Sequence, residues 1–240
     1  MKKILVPTDF SKLSQNALVF AQNLAKGFKS ELVTFHAVKY ANLPSEPLSS
    51  EEYTAYRTGE KNYYAAEIVR FANEYLPDLI VMGTKGTEGL EEGSLDGITT
   101  SVMQQISIPL LAIPHTTSYR PIKEIVYASD FEQDDFKVID QLLRFAQVTE
   151  AIINCIHIRQ DGEYWDGNQS SMYDRMYLLE QSNSLINYHV LHGNDILASL
   201  QSYIVEHEID MIAMLTRHNA SSFTRKIALS TDIPLLAFHK

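Results

Sequence analysis

KKILVPTDF, residues 2–10, returns as IKEIVYASDF, residues 122–131, with Ile4, Asp9 and Phe10 matching Ile125, Asp130 and Phe131. Three further landmarks return in the same order. VTFHAV becomes NCIHIR, which sets His36 against His157; DLIVMGTKG, residues 78–86, becomes DMIAMLTRH, residues 210–218; and ISIPLLAIP becomes TDIPLLAFH, so Ile108–Ile113 correspond to Ile233–Phe238. Four landmarks in one order make the chain two copies of one unit. The join falls near HTTSYRP, residues 115–121, giving expected domains of 1–117 and 118–240.

Within each copy the landmarks are short apolar runs separated by helical patterns, the signature of parallel strand-helix-strand units. KILVPT reads as a buried strand, Ser11 as an N-cap, and SQNALVFAQNLAKGF as a helix with its stripe at Ala17, Leu18, Ala21, Leu24 and Ala25. ELVTFHAV is the next strand, NYYAAEIVRFANEYL a second helix ended by Pro77, and TTSVMQQI a third before the last strand, PLLAI. The second copy adds a strand, SLINYHVL, and a helix, DILASLQSYIVEH. Residues 40–61 of the first copy hold Pro44, Pro47 and Gly59 and no convincing strand, so its edge strand is expected to be missing.

The 240 residues suffice for two small cores without metal or disulfide staples. A formal charge of −10 argues against nucleic acid or an anionic membrane surface as partner. The apolar start breaks at Pro7 and Asp9, and no apolar run approaches membrane-spanning length, so the expected location is cytoplasmic. Cys155, the one cysteine, lies in AIINCIHI and reads as a buried inert thiol.

In an open parallel sheet, ligands bind beyond the carboxyl ends of strands where strand order reverses. PTDFS and GTKGTEGLEEGSLDG, residues 83–97, both follow such ends. Gly83 and Gly86 permit positive φ and close backbone approach, so their amides suit an anion. Gly97 precedes a helix whose N-terminus offers further donors, and Asp9 suits a sugar hydroxyl or an amine.

These residues resemble the universal stress protein family: a first strand ending in PTDFS, a second ending in His, DLIVMG followed by G-x-x-G, and a closing IPLLAIP. The repeat extends the likeness to a tandem of two such domains. The resemblance implies two Rossmann-like domains of the adenine nucleotide alpha hydrolase-like type, each a mostly parallel sheet of about five strands in order 3-2-1-4-5. It further implies ATP, with or without Mg2+, in the first domain. Pro7, Thr8 and Asp9 would then line the base and ribose side with Ala37 beside the adenine, and Met82, Gly83, Gly86, Gly97 and Ile98 would hold ribose and phosphates. Ten residues separate Gly86 from Gly97, one more than the family's spacing, and Ile98 replaces a hydroxyl residue; Thr99 is the candidate substitute. In the second copy Leu215, Thr216, Arg217 and His218 replace the glycines, so that domain is expected to be structural.

The plainer readings are set beside these. Asp9 and Asp130 are candidate helix caps, and His36 and His157 are packing residues of the repeat. His189 and His192 alternate to opposite faces of a strand, so they do not share a metal. Glu91-Glu92 and Asp134-Asp135 read as solvated faces, and Tyr53, Tyr56, Tyr63 and Tyr64 as cover for the sheet. No nucleophile with an evident base is present, so the expectation is a binding module and at most slow ATP hydrolysis. Its partners would be an adenine nucleotide and an unidentified protein, the two domains forming a pseudo-dimer, with a homodimer left open. The alternative is an interaction scaffold of the same fold that binds no nucleotide.

Overall fold

Ile4, Leu5 and Val6 are fully buried in succession, which a strand achieves only when both faces of its sheet are covered. They form β1 (Lys3–Pro7) of the computed structural model, which describes the chain apart from residues 38–49, 86–96, 131, 163–166, 217–220 and 240. The chain separates into two compact units, Met1–Thr116 with Ala228–Ser230, and Thr117–Ile227 with Thr231–Lys240.

After β1, unit 1 runs α1 (Lys12–Phe28), β2 (Glu31–Phe35), α2 (Ser50–Tyr75), β3 (Leu79–Thr84), α3 (Ile98–Gln105) and β4 (Leu110–Pro114). All described pairings are parallel, in order β2-β1-β3-β4. Ser11 caps α1 by accepting from the Ser14 N–H, and Lys29 ends it at φ 53 with its amide on the Ala25 carbonyl. The helix buries Ala17, Phe20, Ala21, Leu24 and Ala25; Leu18, expected in the stripe, is only half-buried.

Unit 2 runs β5 (Glu124–Ala128), α4 (Asp135–Thr149), β6 (Ile152–Arg159), α5 (Gly167–Ser182) and β7 (Ile186–His192). It continues through α6 (Ile196–Glu206), β8 (Met211–Thr216), α7 (Ser221–Ser230) and β9 (Leu235–His239). Its order, β7-β6-β5-β8-β9, is the expected 3-2-1-4-5, again parallel. Unit 1 has the same order without the outer strand among the described residues, and the burial reflects it. In β2, Glu31 and Thr34 are exposed, whereas β6, flanked by β7, is buried from Ile153 through Ile158.

The repeat extends to individual ties. Asp78 accepts from the Lys2 and Lys3 amides at 2.5 and 2.9 Å; Asp210 accepts from the Lys123 and Glu124 amides at 2.7 and 2.9 Å. Each carboxylate pins the start of its unit's first strand to the strand that begins beside it. His36 Nδ1 meets the Thr8 carbonyl at 2.6 Å, and His157 Nδ1 meets that of Ser129 at 3.0 Å.

Several expectations change. Residues 50–61 are helical, because α2 extends more than three turns before the expected start, through Gly59. Helix α5 carries no clear apolar period in the sequence and was not expected. Asp134, not Asp130, is the N-cap residue of α4, and it makes no side-chain cap bond. Asp135 is not on a solvated face: it is 1% exposed. Tyr63 is exposed rather than covering the sheet; Phe71 covers it instead, stacked on Phe35 at 4.3 Å. Tyr53, Tyr56 and Glu91-Glu92 lie outside the residues whose side chains are described.

Candidate functional site

The chain leaves β1 toward β2 on one side and β3 toward β4 on the other, so strand order reverses between β1 and β3. Such a reversal is where the loops beyond the carboxyl ends of an open parallel sheet part; of the loop after β3, residues 86–96 lie outside the described residues.

On the β1 side the backbone is held by its own short polar side chains. The Thr8 N–H donates to the Phe35 carbonyl at 2.8 Å, tying the loop to the end of β2. Thr8 Oγ1 accepts from the Phe10 N–H and donates to Ser14 Oγ, both at 3.0 Å. Asp9 Oδ1 accepts from the Ser11 N–H at 3.0 Å and from the Ser11 hydroxyl at 2.6 Å. Asp9 is therefore not the helix cap; it orients Ser11, which is. Partial burial pushes the Asp9 carboxyl up, but the Ser11 hydrogen bonds outweigh burial and hold it below the ordinary carboxylate value. An exposed anion here attracts hydroxyl or amine donors and repels phosphate. Pro7 is buried at the end of β1, and Ala37 is half-buried two residues beyond β2.

On the β3 side, counting on from the pairing of Leu5 with Ile80 brings Pro7 and Thr8 level with Met82 and Gly83. The Met82 side chain is buried. Gly83 is not a positive-φ residue; among the described glycines only Gly162 is. Its reason is close approach: a Cβ at 83 would stand 2.5 Å from the Leu13 carbonyl oxygen, within the first turn of α1. Gly97, N-cap of α3 at φ −85, is different, since among the described residues a Cβ there would meet nothing nearer than Thr100 Oγ1 at 3.8 Å. Among the described residues nothing covers Gly97, beside the first-turn amides of a helix. The Thr100 hydroxyl accepts from the Gly97 N–H at 3.1 Å and donates to its carbonyl at 2.8 Å. Ile98 is half-buried, and the buried Thr99 donates its hydroxyl proton to the Gly83 carbonyl at 2.6 Å. That bond sews the start of α3 to the end of β3. Gly86 lies outside the described residues.

The corresponding place in unit 2 is built otherwise. Asp135 accepts from the Tyr127 hydroxyl at 2.6 Å, the Ser129 hydroxyl at 2.7 Å and the Glu132 N–H at 3.1 Å. Thr216 bonds Thr224 through their hydroxyls at 3.1 Å. Burial, then the nearby Asp135, pushes the Cys155 thiol well up, in keeping with an inert residue. Sequence reading missed Ser14 and Asp135, although extending the alignment five residues past Asp9 and Asp130 pairs them. Among the described residues no cluster of three or more His, Cys, Asp or Glu suits a metal, and no helix is long and apolar enough to cross a membrane.

A family profile, Universal stress protein family, matches residues 1–62 and 57–114. A universal stress protein of Methanocaldococcus jannaschii is 33% identical over 138 residues, covering 47% of this chain and 81% of the relative. Among solved structures, a universal stress protein from Archaeoglobus fulgidus superposes with TM-score 0.70 at 12% identity, over 99% of this chain and 96% of that one. A functionally unknown protein from Pseudomonas aeruginosa gives 0.67 at 14% identity, over 100% and 92%. At these identities the structural likenesses speak for the fold.

Proposed function

The chain belongs to the universal stress protein family, and from that premise we propose that unit 1 binds an adenine nucleotide, ATP with or without Mg2+, while unit 2 is structural. Pro7, Thr8, Asp9 and Ala37 take the base and ribose. Met82, Gly83, Gly86, Gly97, Ile98 and Thr99 take the ribose and phosphates, Thr99 through its amide because its hydroxyl proton is given to Gly83. The observation that carries this reading is that no described residue packs where a side chain at Gly97 would stand. Neither backbone conformation nor packing against the described residues calls for glycine there, whereas a phosphate drawn to the α3 N-terminus does. Nucleotide binding would bridge the loop to the β1 turn and alter a surface presented to a protein partner.

Isothermal titration of Mg-ATP into nucleotide-stripped protein tests the reading, with Gly97→Ala as the variant. Micromolar binding at about one site per chain, lost in Gly97→Ala while the thermal midpoint holds, is the expected result. No heat at millimolar ATP, with no thermal shift, overturns it. The scaffold reading would then lead, favoured by the Gly97 amide and Thr99 hydroxyl already being satisfied inside the protein.

A further inference from the structure

Phe10 stands at φ 63, in the left-handed region where a bulky aromatic residue is strained, and its side chain is 68% exposed. Burial therefore does not offset the strain. The loop nonetheless holds the conformation at both ends of the residue: the Phe10 N–H donates to Thr8 Oγ1 at 3.0 Å, and its carbonyl accepts from Gln15 Nε2 at 2.9 Å. Its ring lies against the exposed His36, centroids 5.0 Å apart and tilted by 44°, and His36 is fixed by its Nδ1 contact with the Thr8 carbonyl at 2.6 Å. His157 repeats that carbonyl contact in unit 2 but is buried. The backbone tie belongs to the fold, and in unit 1 the histidine that makes it is exposed beside Phe10; Phe131, the counterpart of Phe10, lies outside the described residues.

We propose that Phe10, backed by His36, is the stacking platform for the base of the nucleotide that unit 1 binds, and so a residue that selects a flat aromatic ligand over a bare polyphosphate. The inference rests on the nucleotide reading above. The two halves of such a ligand find matching chemistry at opposite ends of the crevice. The phosphate-suited features, Gly83 and the α3 N-terminus at Gly97, belong to the β3 side, and the aromatic pair belongs to the β1 and β2 ends, adjoining the Asp9 carboxylate. A π-face held rigidly in water stacks on a base with little loss of side-chain freedom on binding, and the stacking tolerates different bases. Asp9 then discriminates among them through an exocyclic amine.

The test compares Mg-ATP with Mg-tripolyphosphate by calorimetry on nucleotide-stripped full-length protein, wild type against Phe10→Ala, Phe10→Tyr and Phe10→Gly. The expected result is a loss of roughly tenfold or more in ATP affinity for Phe10→Ala, with tripolyphosphate affinity unchanged and Phe10→Tyr close to wild type. Phe10→Gly, which accepts φ 63 without strain, is expected to lose the same affinity while unfolding at no lower urea concentration, which separates lost stacking from a damaged loop. ATP binding to Phe10→Ala as tightly as to wild type overturns the platform and leaves the nucleotide reading standing. Equal losses for ATP and tripolyphosphate also overturn it, by assigning Phe10 to loop geometry. Wild-type protein that binds neither ligand overturns both readings together.

Discussion

The two crevices share a frame and differ in what fills it. In unit 1, Thr8 Oγ1 pairs with Ser14 Oγ; in unit 2 the same positions hold Ser129 and Asp135, and Val6 is replaced by Tyr127, whose hydroxyl also reaches Asp135. Gly83 is replaced by Leu215 at the same place in the ladder, paired with Phe238 as Gly83 is with Ile113. Thirteen residues, 85–97, join β3 to α3, but four, 217–220, join β8 to α7. The ties at Asp78 and Asp210, and at His36 and His157, are unchanged. Positions that hold strands in register were kept; Thr8, Ser14 and Gly83 changed, while Asp9 returns as Asp130 and Met82 as Met214. A chain supplying its own buried carboxylate to the donors at the mouth of a strand-helix turn leaves those donors nothing to offer a ligand.

The sharpest break of this comparison is to give unit 1 the residue of unit 2. Gly83→Leu drives a side chain into the Leu13 carbonyl, and backbone cannot rotate away as a side-chain tip can. The expected loss is on the order of 3 kcal/mol or more, at or above the upper end for overpacked cores. Urea unfolding read by peptide-resolved hydrogen exchange is the measurement, since two units need not unfold as one. Peptides of α1 and β3 are expected to lose protection first. Unchanged protection there would mean that α1 shifts freely on β3 and that glycine at 83 has no packing reason.

Next in size is Asp135→Asn. The amide keeps the volume but presents a donor to the Tyr127 hydroxyl, the Ser129 hydroxyl or the Glu132 N–H, all of which donate to Asp135. At 1% exposure water does not repair the mismatch, so about 2 kcal/mol is expected. The matching change in unit 1, Ser14→Ala, removes the neutral pair with Thr8 and a bond to the Ser11 carbonyl at 3.1 Å, and is expected to cost about 1 kcal/mol. Equal losses at the two sites would dissolve the distinction between an internally satisfied crevice and an open one.

Much of this was legible before any coordinates. The repeat marked the strands, because buried parallel strands are apolar runs that survive as recognisable landmarks, and the family resemblance implied their order. Gly83, Gly97, Thr8 and Asp9 were legible as neighbours of strand ends. What escaped depends on tertiary neighbours that the local pattern does not record. Asp134-Asp135 looks like a solvated pair until β5 places a tyrosine and a serine over the second of them. Gly83 looks like a conformational glycine until α1 is seen against it. Phe10 has no sequence mark of its left-handed conformation, which is set by Thr8 and Gln15 on either side.

The smallest effect sharpens the part of the comparison that did not change. Burial raises the Asp78 carboxyl, but the Lys2 and Lys3 amides, with the nearby charges of the Met1 amino group and Lys2, outweigh it and leave the group below its ordinary value near 3.8. A carboxyl whose value is depressed on folding binds its proton more readily in the unfolded chain. Its contribution is therefore present above the ordinary value and is lost as pH falls through the folded one. Asp78→Asn should cost below about 1 kcal/mol at neutral pH, because the carboxylate is largely solvated, and should flatten the fall in stability below about pH 4. Asp210→Asn is the control: that side chain is 10% exposed and also bonds Arg120 Nε at 2.8 Å, so its loss at neutral pH is expected to be larger. Urea midpoints of the three proteins from pH 3 to 7 decide it. If Asp78→Asn keeps the full acid dependence of the wild type, the two aspartates share a place in the repeat but not a physical role.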